Sequence, residues 1–171
     1  MIVVALTSYN FVQHYATISW PYNKFSAFLR MKSKADIIRL AELKVEASIC
    51  LLENEHYDNA YYLAGYAIEL CLKAHICKNL GLDGFFNFNY ENVRKDLYKP
   101  FKNHDYTELI LLSGLHSEFL AQMQNPVFKD NWTYIFKWSE NCRYEYGLNP
   151  MEVIKFVNSS KEFCQWIEKR L

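Results

Sequence analysis

Residues 57–74 read YDNAYYLAGYAIELCLKA, and this stretch decides the fold. It is apolar on nearly every side, yet its interior holds one acid and one base, Glu69 and Lys73, four residues apart. A helix that is hydrophobic all round belongs in the middle of a bundle. Its few polar groups must then be paired or put to use, because an isolated buried charge is costly. Ala60, Ala64, Ala67, Cys71 and Ala74 form a stripe of small residues at helical spacing. Gly65 adds a point where a neighbouring helix can come close. Leu63, Ile68, Leu70 and Leu72 supply bulk on the other sides. The expected central helix runs from about Asn59 to Leu80, with Asp58 as its cap and Gly81 as a left-handed stop.

Working outward, Ser33 and Asp36 have the spacing of a capping box. Ile37, Ile38, Ala41, Val45, Ser48, Cys50 and Leu52 follow as the apolar or small positions of a first helix reaching about Glu55. The short link from Asn54 to Asn59 predicts antiparallel neighbours. Gly81 to Lys102 reads as a loop or loose helix. It holds Phe85, Phe86, Phe88 and Tyr90, followed by the basic run Arg94, Lys95, Lys99 and Lys102. Asp105 with Glu108 predicts a third helix start, carried on by Leu109, Ile110, Leu112 and Leu115 and ended by Asn125 and Pro126. An aromatic connector with Trp132, Trp138 and Arg143 leads to Asn149 and Pro150, which cap a final helix keeping Val153, Val157, Cys164, Ile167 and Leu171 on one face. The expected class is all-α, an antiparallel bundle of four to five helices around a central hydrophobic helix near residues 59–80.

Composition bounds what such a bundle can do. The chain of 171 residues fits one domain, and at 51% hydrophobic and 17% aromatic it is not a disordered composition. The first thirty residues hold Lys24 and Arg30 and no acid, so residues 31–171 carry 17 bases against 19 acids, a net of −2. That is a poor footprint for general nucleic-acid binding, which draws on Lys and Arg against phosphates, although a local patch can still hold one phosphate. The five cysteines (Cys50, Cys71, Cys77, Cys142, Cys164) show no CxxC spacing and read as reduced core residues of a cytoplasmic protein. Residues 1–30 start apolar but lack a basic n-region and are broken by Asn10, Gln13, His14 and Pro21. They suit neither a signal peptide nor a membrane span. The expectation is a leader preceding a native start at Met31, or else an accessory arm that packs through Phe11, Trp20 and Phe25.

Three pieces taken in order carry a family resemblance. YYLAGYAIELCLKA resembles the central helix of HEPN domains (higher eukaryotes and prokaryotes nucleotide-binding). Lys102-Asn103-His104-Asp105-Tyr106 resembles the K-x-H-D segment that opens their third helix. Trp138-Ser139 followed by Arg143-Tyr144 resembles the W-S and R-Y element ahead of the last one. The similarity spans about Asp36 to the carboxyl terminus, so residues 31–171 are identified as a HEPN-like domain. The resemblance implies a prokaryotic defence, toxin-antitoxin or stress protein, a homodimer, and a nucleotidyltransferase partner. It also implies RNA or nucleotide binding and, in some relatives, metal-independent ribonuclease activity from an Arg followed four to six residues later by His. None of Arg30, Arg39, Arg94, Arg143 and Arg170 is followed by His at that gap. The nearest pair, Arg94 and His104, is separated by nine residues.

Two functions follow as expectations. The first is a non-catalytic module whose ligand pocket is formed by Glu69, Lys73, Arg143 and Tyr144. The second is a rearranged ribonuclease with His104, Arg143 or Arg94 as catalytic candidates, His for proton transfer and Arg for bidentate contact with developing phosphate charge. Each residue also has a bland alternative. Glu69 and Lys73 have the favourable order for an intrahelical pair, Arg143 can pair with Glu69 as a buried ion pair, and His104 can serve the start of its helix. His56, His75 and His116 lack a second ligand at i+3 or i+4, so no metal site is expected, and no cofactor motif is present.

Overall fold

A computed structural model describes residues 33–82 and 102–171. Residues 1–30, the aromatic and basic stretch from Phe85 to Lys99, and with it the candidate Arg94, lie outside the described residues. Those described form an all-helical bundle: α1 (Lys34–Glu53), α2 (Tyr57–Asn79), α3 (Tyr106–Leu112), α4 (His116–Gln122), α5 (Pro126–Ile135), a 3-10 turn (Glu140–Tyr144) and α6 (Pro150–Glu168).

α1 begins where its capping box places it. Ser33 Oγ accepts from the Asp36 backbone N–H at 3.2 Å and Asp36 Oδ2 accepts from the Ser33 N–H at 2.9 Å, which satisfies two otherwise orphaned donors. Ile37, Ala41 and Ser48 face inward, whereas Cys50, expected in the core, is exposed. A three-residue link then turns the chain back, and α1 packs along α2.

α2 is wrapped as expected. Every residue from Ala67 to Cys77 is buried, and α1, α3, the 3-10 turn and α6 all pack on it. Its end is a Schellman motif: Gly81, at φ +62°, donates to the Lys78 carbonyl while Leu82 donates to that of Cys77. Its start differs from expectation. Asp58 does not cap the helix; it lies in the first turn, where its carboxylate accepts from the Gly147 and Leu148 N–H groups at 3.0 and 2.9 Å. That bond ties the approach to α6 onto α2.

The expected third helix is two helices. Gly114 sits at φ +74°, a conformation glycine adopts freely, and the Asn79 side chain occupies the space a Cβ there would need. Ser113 Oγ bonds back to the Ile110 carbonyl, and the chain restarts as α4. Asn125 and Pro126 likewise open a helix rather than close one. Asn125 Oδ1 accepts from Val127 N–H at 2.9 Å with Pro126 at the first helical position, so part of the expected connector is α5. Asn149 and Pro150 repeat that arrangement at α6, as anticipated. α6 buries Val153, Phe156, Val157, Phe163, Cys164 and Ile167. Beside it, the rings of Phe119, Phe128, Trp132 and Trp166 meet Phe163 at centroid distances of 5.3–6.4 Å, a second apolar layer.

Candidate functional site

Glu69, 1% exposed, is the chemical centre of α2. One turn on, Lys73 donates from Nζ to its Oε1 at 2.5 Å. His104 reaches in from the segment preceding α3, and its Nδ1 lies 2.8 Å from Oε2. An ionised carboxylate only accepts, so Nδ1 carries the proton in that bond and Nε2 is left for the cleft, an acceptor on the neutral ring and a donor on the protonated one. The Lys73 side chain is buried, whereas that of His104 is 40% exposed. The three groups thus form a line from the core to the surface.

Local chemistry fixes this geometry. The Asp105 side chain caps α3 by accepting from the Thr107 and Glu108 N–H groups at 2.7 and 3.1 Å, while Asn103 Oδ1 accepts from Asp105 N–H. Capping therefore falls to Asp105, and His104 is left to turn toward α2. Tyr106 anchors the far side: its hydroxyl donates to the Gly65 carbonyl at 2.7 Å, and its ring lies almost parallel to that of Trp138 at 5.2 Å. Burial, with the Glu69 charge adding to it, pushes the Tyr106 phenol well above its ordinary pKa, so the hydroxyl stays a donor. The Trp138 indole rests directly on Gly65, in the space a Cβ would occupy. Gly65 does provide a close approach, for a ring instead of a helix.

Above this stack lies a cleft of about 450 Å³ between two stretches of chain. One wall is the run from Lys102 to Thr107, which includes His104; the other is Phe136, Trp138, Ser139 and Glu140. The volume falls within the range of small-molecule sites, about 300–1,000 Å³.

Of the residues singled out from sequence, Glu69, Lys73 and His104 are brought together. Arg143 and Tyr144 are not. The expected Arg143–Glu69 ion pair is replaced, because Lys73 and His104 take the two carboxylate oxygens and the 3-10 turn points Cys142 inward and Arg143 outward. The Arg143 guanidinium lies over the ring of its neighbour Tyr144 at 4.8 Å, both side chains exposed. Neither lines the cleft. The sequence pattern did not mark Phe136 or Glu140 as site residues, and it placed Tyr106 in a family segment and Trp138 in a family element and an aromatic connector, neither of them in a site. The available signal was the pairing of Gly65 with an aromatic-rich segment.

Among the described residues no group of three His, Cys, Asp or Glu side chains stands where it could hold a metal ion. No helix there is long and apolar enough to cross a membrane. Fold and site together define a helical bundle with a carboxylate-held histidine at the edge of an open cleft. Compared with protein-family models, curated proteins and solved structures, the chain matches none.

Proposed function

We propose that this chain is a non-catalytic HEPN-like module that binds a nucleotide, free or as part of RNA, in the cleft beside His104. The setting proposed with it is a cytoplasmic, prokaryotic defence or toxin-antitoxin system, with the chain acting as a homodimer alongside a nucleotidyltransferase partner. One observation carries the ligand reading: a histidine held by a buried carboxylate stands at the rim of a ligand-sized cleft, with Lys102 on the same wall. Lys102 offers a charge to a phosphate, and His104 a hydrogen bond from Nε2 when its ring carries both protons. The non-catalytic part rests on the sequence, since none of the five arginines is followed by His at the four-to-six-residue gap of the ribonuclease relatives. Titrating the full chain with nucleoside monophosphates and with a short oligoribonucleotide tests the reading. Saturable binding that weakens in His104→Ala supports it, and absence of binding to all of them overturns it.

The second reading, a metal-independent ribonuclease, draws on the same dyad. With Nδ1 held by Glu69, the other ring nitrogen is available to take a proton from an attacking hydroxyl. Cleavage of an oligoribonucleotide in the presence of a chelator, abolished in His104→Ala, would replace the non-catalytic reading with this one.

A further inference from the structure

The two cleft walls differ in chemistry, and the difference bears on which nucleotide fits. On the Phe136–Glu140 wall, Phe136 is 63% exposed, a large ring left open on the cleft side of the aromatic layer, 6.1 Å from Trp132. Glu140 is half-buried on the same wall, and among the described residues its carboxylate makes no hydrogen bond or ion pair. An open aromatic face and an unengaged carboxylate on one wall call for a flat partner with two neighbouring donors. On the opposite wall, Lys102 and His104 supply the cation and the hydrogen bonds, while Asp105 is engaged in capping α3.

We infer, building on the nucleotide reading above, that the cleft selects guanine, with the base stacked on Phe136 and hydrogen-bonded to Glu140 and a single phosphate at Lys102 and His104. Guanine presents a ring N–H beside an exocyclic amino group, a donor pair that matches a carboxylate fork. Adenine places a ring nitrogen lone pair where the first donor should be and meets the carboxylate with repulsion. Uracil has one ring N–H between two carbonyl oxygens, and cytosine one amino group beside an acceptor nitrogen. Only guanine fills both carboxylate oxygens. The described lining also bears on the phosphate part: among the described residues Lys102 is its one fixed positive charge, against the carboxylates of Asp105 and Glu140. With one lysine against two carboxylates among these residues, base contacts carry more of the affinity than charge does, and a nucleoside monophosphate is the fitting ligand.

Calorimetric titration of the full chain with GMP, AMP and inorganic phosphate tests the inference. GMP is expected to bind at least about tenfold more tightly than AMP, the discrimination a good bidentate pair provides, and phosphate alone to bind most weakly. In Glu140→Gln the GMP affinity should fall by about tenfold or more while that for AMP holds or improves, because the amide keeps the size and loses one acceptor. A thermal melt of the variant matching the parent confirms that Glu140 acts on the ligand and not on folding. Equal affinity for GMP and AMP overturns guanine selection and leaves the nucleotide reading standing. Binding of none of the three overturns both. A preference for GMP that survives Glu140→Gln overturns the assignment to Glu140, and with it the inference.

Discussion

Two histidines meet α2 at neighbouring turns, and the contrast between them separates architecture from chemistry. His75 is on α2 itself, 5% exposed, with Nδ1 2.8 Å from the Ser113 carbonyl at the end of α3. Asn79 donates to the same carbonyl, so the pair secures the corner where α3 breaks at Gly114. His104 arrives from outside, remains partly open to water, and is held by a carboxylate rather than a carbonyl. The first arrangement satisfies a helix end. The second fixes a ring's tautomer and orientation at the edge of a cleft, the arrangement proton-transfer and ligand-binding histidines use. Burial alone would have ranked them the other way round.

Mutations at the three residues test that contrast. The largest effect is expected for Glu69→Ala, which removes the carboxylate serving both Lys73 and His104. Breaking a buried ion pair from one side costs about 3–5 kcal/mol, to be read from denaturant unfolding. His75→Ala should cost about 1–3 kcal/mol through lost packing and an altered corner, with affinity for nucleotide unchanged. His104→Ala should do the opposite: about 1 kcal/mol or less in stability, since water can replace the imidazole, but about tenfold or more in nucleotide affinity, equivalent to about 1.4 kcal/mol. Should His104→Ala destabilise more than His75→Ala while leaving binding intact, the roles assigned to the two rings are reversed.

The buried ring also gives stability a dependence on pH. Burial lowers the His75 pKa from its ordinary value near 6.5, only partly offset by the bond to Ser113. Above that value both folded and unfolded chains hold the ring neutral, and stability is unaffected. As pH falls below about 6.5, the unfolded chain takes up a proton that the folded chain resists, so stability declines. Unfolding curves of the parent and His75→Gln should therefore run parallel above pH 7 and converge below about pH 6.5. A parallel offset at all pH values would mean that His75 does not titrate as its burial demands. The smallest effect is expected for Arg143→Ala. Exposed and stacked only on Tyr144, it should alter stability by no more than about 0.5 kcal/mol and leave nucleotide affinity unchanged.

The bundle was legible because its strongest signals are local. The capping box at Ser33, the glycine stop at Gly81 and the unbroken apolar run of α2 each act within a few residues, and each stands where the pattern places it. Asn125-Pro126 and Asn149-Pro150 carry the same information, an N-cap followed by a first-turn proline. Reading the first as a stop and the second as a start cost the recognition of α5. The break at Gly114 was harder to see, since the Asn79 side chain that fills the space of a Cβ there is distant in sequence. The site was half legible for the same reason. Glu69 and Lys73 are one helical turn apart and declare themselves, but whether His104 or Arg143 completes the carboxylate depends on which residue of the 3-10 turn points inward. That is a matter of tertiary packing, and Cys142 takes the place.

One small feature sets the shape of the whole site. Because residue 65 has no side chain, the Trp138 indole lies against the backbone of α2, and Tyr106, bonded through its hydroxyl to the Gly65 carbonyl, lies almost parallel to it. The seating of the indole, which lines the cleft, thus depends on a missing methyl group. Gly65→Ala would wedge the indole outward and make the recess shallower while every side chain a ligand touches kept its identity. Depth in this molecule is a backbone property, adjustable from a helix position outside the cleft lining.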